Sequence, residues 1–114
     1  MAANSRIPSP ELELRTDKQA DETVVHASGR ITLATASLLQ TTIRGLIPNS
    51  KRIVLDLTNV TYLDSTGIGA MVSVYLSASR AQCDFKVVNA QPKVRDLFEI
   101  TKLRAIFDDF RGSD

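Results

Sequence analysis

Asp64-Ser65-Thr66-Gly67-Ile68-Gly69 is the stretch of this chain best suited to chemistry. It follows Ile53, Val54, Leu55 and Leu57, a short apolar run rich in β-branched residues that reads as a strand buried on both faces. Thr58 to Tyr62 read as polar turn residues that take the chain out of the sheet. The hexapeptide then opens a helix whose apolar residues, Ile68, Met71, Val72, Tyr75 and Leu76 or Ser79, fall close to a 3.6-residue period. Asp64 and Ser65 are both good caps for the free N–H groups of a first turn. A hydroxyl at a helix start, beside a carboxylate and small glycines, suits an anion, including a phosphate carried on the hydroxyl itself.

Other chemistry is poorly supplied. His26 is the one histidine and falls mid-strand, and Cys83 is the one cysteine, so neither a metal set nor an internal disulfide is expected. The hydrolase elbow G-x-S-x-G is absent, because Leu63 stands two residues before Ser65. Asp64-Ser65-Thr66-Gly67 is similar to an aspartic protease loop, but such an enzyme needs two carboxylates sharing a proton and this loop occurs once. Gly67-Ile68-Gly69 is a fragment of a dinucleotide fingerprint with Val72 where the third glycine belongs, and no P-loop lysine follows. Catalysis and cofactors are not expected.

The elements that position the loop can be read in order. Residues 1–10 are polar with Pro8 and Pro10 and read as a flexible tail, leaving 11–114 as one domain. Glu11–Thr16 alternates Leu12 and Leu14 with charges, an edge-strand pattern, and Lys18–Glu22 reads as a charged turn. Thr23–Ile31 is a second strand, with Val25 and Ala27 on one face and Val24, His26 and Ser28 on the other. Gly29 near its end marks a bulge or a close backbone approach. A helix from Ala34 or Thr35 carries Ala36, Leu39, Ile43, Leu46 and Ile47 on one stripe and stops at Pro48-Asn49. After the central strand and helix come a strand at Phe85–Val88 and a helix opened by Pro92 with Val94, Leu97, Phe98 and Thr101 apolar or inward. Ala105-Ile106-Phe107 suggests a last short strand. The order predicts an α/β fold: an antiparallel hairpin leading into β-α-β-α-β, with parallel pairing, right-handed crossovers and helices mainly on one face.

Composition sets the class. The chain has 114 residues, 43% hydrophobic and 24% charged, enough for one domain with its own core. A net charge of +1 gives no reason to expect direct binding of nucleic acid or an anionic membrane. No apolar run approaches the ~20 residues of a membrane span, and the N-terminus has no apolar core of the secretory kind. With the lone Cys83, this reads as a cytoplasmic protein.

Ile53-Val54-Leu55-Asp56-Leu57 followed by Tyr62-Leu63-Asp64-Ser65-Thr66-Gly67-Ile68-Gly69 resembles the STAS domain, in particular the bacterial anti-sigma factor antagonists. Ser28-Gly29-Arg30-Ile31 and Val94-Arg95-Asp96-Leu97-Phe98 support the resemblance, which covers roughly Glu11 to Phe110. It implies that Ser65, the hydroxyl after the aspartate, is phosphorylated by a partner that is both a serine kinase and an anti-sigma factor. The unphosphorylated form would bind that partner and free a sigma factor, and a phosphatase would reset the switch. The reading that needs no such switch is that Ser65 is an N-cap; in a third arrangement Asp64 caps and Ser65 faces solvent. Thr66 is a rival acceptor or a support of the loop. Gly67 and Gly69 would let a partner backbone come close, and Ile68 would supply apolar contact, as would Met71 unless it is core. Thr32 stands where the family commonly has an aspartate, and the chain stops soon after Phe110, where antagonists often continue into another helix.

Three functions compete. The first is the phosphorylation-switched antagonist, with an exposed Ser65 and an apolar rim at Ile68. The second is a constitutive STAS subunit of a larger assembly, a lipid transporter component or a stress-signalling scaffold. The third is a sensor that binds a nucleotide at the helix start, disfavoured by the lack of a basic or aromatic cluster nearby.

Overall fold

The computed structural model describes residues 11–100. The proposed tail at 1–10 and strand at 105–107 lie outside them. Four strands, β1 (Leu12–Gln19), β2 (Glu22–Ile31), β3 (Arg52–Leu63) and β4 (Asp84–Val88), form one sheet in the order β1-β2-β3-β4. The helices are α1 (Ala36–Leu46), followed by a 3-10 turn at Ile47–Asn49, α2 (Ser65–Arg80) and α3 (Pro92–Ile100).

β1 and β2 pair antiparallel through a two-residue turn, with Gln19 opposite Glu22 and Ala20 at φ 52. The charged segment expected to be all turn is therefore mostly strand. β2, β3 and β4 are parallel. Because each crossover steps to the next strand in the same direction, right-handed connections put α1 and α2 on the same face. That face holds the core: Val25, Ala27 and Ile31 of β2, Ile53, Leu55 and Leu57 of β3, and Val87 of β4 meet Leu39 and Ile43 of α1 and Met71 and Val74 of α2. Each large apolar side chain so buried gives about 1.5–3 kcal/mol.

Two expectations about β3 need correction. Its apolar run is buried on one face only: Ile53, Leu55 and Leu57 are in the core, while Val54 and Asp56 between them are half-buried on the sheet's other face. The described helices cover a single face, so one side of the pleat suffices. The segment Thr58–Tyr62 does not leave the sheet. It stays paired with β2 through register shifts between His26 and Ser28 and between Gly29 and Arg30. These irregularities bring Leu57, Val60 and Leu63 to the core in steps of three rather than two.

Gly29 sits at this irregular stretch with φ 119, and a Cβ there would lie 2.1 Å from the Glu11 carbonyl oxygen. Only glycine permits that approach, which the Arg30 N–H completes by donating to the same oxygen at 2.8 Å.

Candidate functional site

The parallel strands β2 and β3 end side by side, Ile31 opposite Leu63. The Asp64 N–H donates to the Ile31 carbonyl at 3.2 Å, after which the chain turns into α2. Asp64 has extended dihedrals and its Oδ1 accepts the Gly67 N–H at 2.9 Å, so it is the N-cap of α2. Its Oδ2 accepts the Leu33 N–H at 3.3 Å from the turn between β2 and α1. One carboxylate thus ties together the two loops at this end of the sheet. Ser65, the first residue of α2, is exposed, as is Thr66, and among the described residues neither hydroxyl has a hydrogen-bond partner.

The turn before α1 is laced by two buried threonines. The Thr35 hydroxyl accepts the Thr32 N–H at 2.9 Å and donates to the Arg30 carbonyl at 2.8 Å. The Thr32 hydroxyl accepts the Ala34 N–H at 3.2 Å. Thr32 is thus spent on the turn itself.

Two of the residues expected at a partner surface, Gly67 and Ile68, are buried instead. Ile68 is 6% exposed and Met71 is fully buried, so both are core and no apolar rim exists at Ile68. The physical reason lies in Gly67: a Cβ there would meet the Ile31 carbonyl oxygen at 2.3 Å. That glycine seats α2 against β2, and the seating turns Ile68 and Met71 onto the sheet. Gly69 alone is exposed with open space above it. In the rest of α2 the buried stripe is Ala70, Val74 and Ala78, while Leu76 faces solvent.

What the sequence reading missed is the apolar side chain beside the loop. Leu33 is exposed, and Tyr62, just before Leu63-Asp64, carries the Arg30 guanidinium 4.6 Å above its ring. A leucine in the turn between Thr32 and Thr35 was the available signal, but which way it faces depends on the threonine bonds around it.

A second polar cluster lies on the sheet face away from the described helices. His26 Nδ1 and Asp56 Oδ2 are 3.1 Å apart across β2 and β3. Asp56 Oδ1 accepts the Thr58 hydroxyl at 2.6 Å, the Thr58 N–H at 3.0 Å and the Asn89 amide at 3.2 Å. Burial pushes the Asp56 carboxyl up, but the donors on Thr58, Asn89 and His26 outweigh it and hold it below its usual value. A carboxyl depressed in the folded state stabilises the fold above its unfolded pKa, and that contribution is lost as pH falls through the folded value. Acid unfolding followed by circular dichroism should therefore fall off less steeply below roughly pH 4 in Asp56→Asn than in the parent. Equal slopes would remove Asp56 from the acid response. Glu13, Arg15 and Ser28 join His26 and Asp56 around a shallow cleft.

The family model of the STAS domain matches residues 12–113, nearly the whole chain. This chain belongs to the STAS domain family. The domain is 29% identical over 84 residues to the anti-sigma-B factor antagonist of Bacillus subtilis, covering 74% of this chain and 77% of that protein. It is 25% identical over 104 residues to the anti-sigma-B factor antagonist of Staphylococcus aureus, covering 90% and 96%. Its fold superposes on the crystal structure of an anti-sigma factor antagonist from Mycobacterium paratuberculosis with a TM-score of 0.77, at 25% identity and 89% and 87% coverage. The mixed sheet, its opening hairpin and the one-sided helices are thus the STAS architecture.

Within this STAS domain the double use of Asp64 has a measurable consequence. Asp64→Ala removes the cap of α2 and the tie to Leu33, and should cost about 1–2 kcal/mol in urea unfolding. The Leu33 amide should also exchange faster with solvent. Unchanged exchange at Leu33 would mean that the 3.3 Å bond holds nothing.

Proposed function

We propose that this STAS domain is an anti-sigma factor antagonist, a binding module switched off by phosphorylation of Ser65. The observation that carries the reading is the division of labour at the start of α2: Asp64 does the capping, and the Ser65 hydroxyl is left exposed without a partner. The names of relatives that match over most of their length support the same reading. The partner is an anti-sigma factor with serine kinase activity, met in the cytoplasm, and a phosphatase restores the free hydroxyl. The domain touches no nucleic acid itself; it acts on transcription by occupying the protein that holds a sigma factor.

The physics of the switch follows from the geometry. A phosphate brings about −1.5 to −2 charges. At the first turn of α2 this charge suits the helix dipole, so the fold tolerates it. The opposing effect falls on docking, where bulk and a charge to be desolvated meet the partner surface. The Thr66 hydroxyl is exposed too, but Ser65 holds the position, directly after the aspartate, that the resemblance to the antagonists marks for phosphorylation. The constitutive-subunit reading has no observation of its own in favour.

Intact-mass measurement and phosphosite mapping of the protein from its native cell, with and without stress, tests the proposal. One phosphate on Ser65 whose occupancy changes with conditions is the expected result. A protein always unmodified there, held in a transporter or scaffold, would overturn it.

A further inference from the structure

Among the described residues β1 is an edge strand, and its free side follows from its bonded one. The Arg30 N–H donates to the Glu11 carbonyl at 2.8 Å, and Gln19 faces Glu22 across the two-residue turn. Backbone groups alternate in direction along an antiparallel pair, so the odd-numbered residues of β1 point theirs at β2. Those of Leu14, Thr16 and Lys18 point outward, where no described residue bonds them.

Edges of this kind are commonly blunted by a proline, a bulge or a short strand. β1 has none of these: it runs from Leu12 to Gln19 without proline and pairs with β2 in unbroken register. From Glu13 onward every residue except half-buried Leu14 is exposed. The remaining protective device is charge, and here its pattern is self-complementary. Arg15 and Asp17 share the sheet face away from the described helices, as do His26 and Val24 opposite them. Arg15 borders the shallow cleft with Glu13, His26 and Asp56, yet neither Arg15 nor Asp17 forms an ion pair among the described residues.

We propose that two copies of this chain associate through β1, antiparallel about a two-fold axis at Thr16, into one continuous sheet. A two-fold axis makes each contact occur twice. In this register Arg15 lies opposite Asp17 of the other copy, and Asp17 opposite its Arg15. The outward-pointing residues also meet, Leu14 with Lys18 and Thr16 with itself, giving about six N–H···O bonds. A shift of two residues sets Arg15 against itself and Glu13 against Asp17, or in the other direction Asp17 against itself. A shift of four sets Arg15 against Glu13 but Asp17 against Glu11. Of these registers only the one centred on Thr16 gives both charges an opposite partner. One strand buries little area, so the dimer is weak and concentration-dependent. Because β2 and β3 then run in opposite directions in the two copies, the Ser65 loops lie at opposite ends of the joint sheet.

Sedimentation velocity of the full-length chain, from micromolar to near-millimolar concentration and with thermal midpoints recorded, tests the proposal. Wild type should pass reversibly from monomer to dimer. Arg15→Asp and Asp17→Arg each oppose like charges and should each weaken the dimer about tenfold or more. An equimolar mixture of the two, and the double variant carrying both, restore opposite pairs and should dimerise as wild type does. On oxidation Thr16→Cys should cross-link, its Cα atoms lying about 5.5 Å apart across the axis. Lys18→Cys, with its two copies more than about 13 Å apart, should not. Cys83 is buried and takes no part. The proposal fails if wild type stays monomeric throughout, or if either single charge variant dimerises like wild type at an unchanged midpoint. It fails equally if mixing the two variants restores nothing, or if Thr16→Cys dimerises without cross-linking.

Discussion

Ser65→Asp is expected to weaken anti-sigma factor binding by about 3 kcal/mol, a hundredfold or more, as an uncompensated charge buried at an interface does. Its thermal midpoint should stay within a few degrees of the parent's. The separation of the two effects follows from the site. Ser65 makes no side-chain hydrogen bond among the described residues, so its hydroxyl contributes nothing that aspartate would remove. A carboxylate at the first position of α2 gains about 0.3–1 kcal/mol from the helix dipole. Ser65→Ala should bind like the parent and resist the kinase, giving a constitutively active antagonist. Calorimetric titration and thermal unfolding of the three proteins provide the readout. A collapse of stability in Ser65→Asp would mean that the residue is packed rather than presented, and the switch would lose its basis.

Gly67→Ala should be the most damaging small substitution in the loop. Its Cβ would sit 2.3 Å from the Ile31 carbonyl oxygen and 2.9 Å from both the Ile31 carbonyl carbon and its Cγ2. Two of these are backbone atoms, which cannot rotate away, so the start of α2 must lift from β2. Overpacking of this kind costs about 1–3 kcal/mol, and a rigid backbone neighbour places this case at the upper end. The same lift strains the Asp64 N–H bond to Ile31 and the cap to Gly67, so partner binding should fall together with stability. Gly69→Ala, with open space above it, is the control and should be neutral or slightly stabilising through helix propensity. If Gly67→Ala unfolds at the same urea midpoint as the parent, the close contact is not what seats the helix.

The contrast between these two glycines marks where sequence stops being readable. Strand and helix order, the one-sided arrangement and the special role of Gly29 were all visible, because periodicity and glycine placement report directly on burial and backbone shape. The aspartate and serine could be named as capping residues, but which of them caps depends on the direction of one carboxylate. Ile68 and Met71 were legible as a helical stripe; their position at the functional loop suggested contact with a partner, and the seating of Gly67 on Ile31 assigns them to the core. The continuation of β3 through Thr58–Tyr62 was hidden because register irregularities replace the two-residue period with steps of three. Polar residues on the face away from the described helices then look like a turn. Leu33 was hidden for the opposite reason: its exposure is set by hydrogen bonds of Thr32, Thr35 and Asp64 that no local pattern encodes.

The strand order also governs how the chain can fold as it is synthesised. Among the described residues each strand after β1 pairs with the one made just before it, so none of these strands waits for a distant partner to emerge. By the time Arg80 has left the ribosome, β1, β2 and β3 are complete, both major helices are present, and the two loops joined by Asp64 already exist. The carboxylate that fixes the site can therefore close its two bonds before β4 and α3 are made. Loop closures of this modest span cost little entropy. A nascent chain of this kind should close the end that carries Ser65 first and add β4 after it.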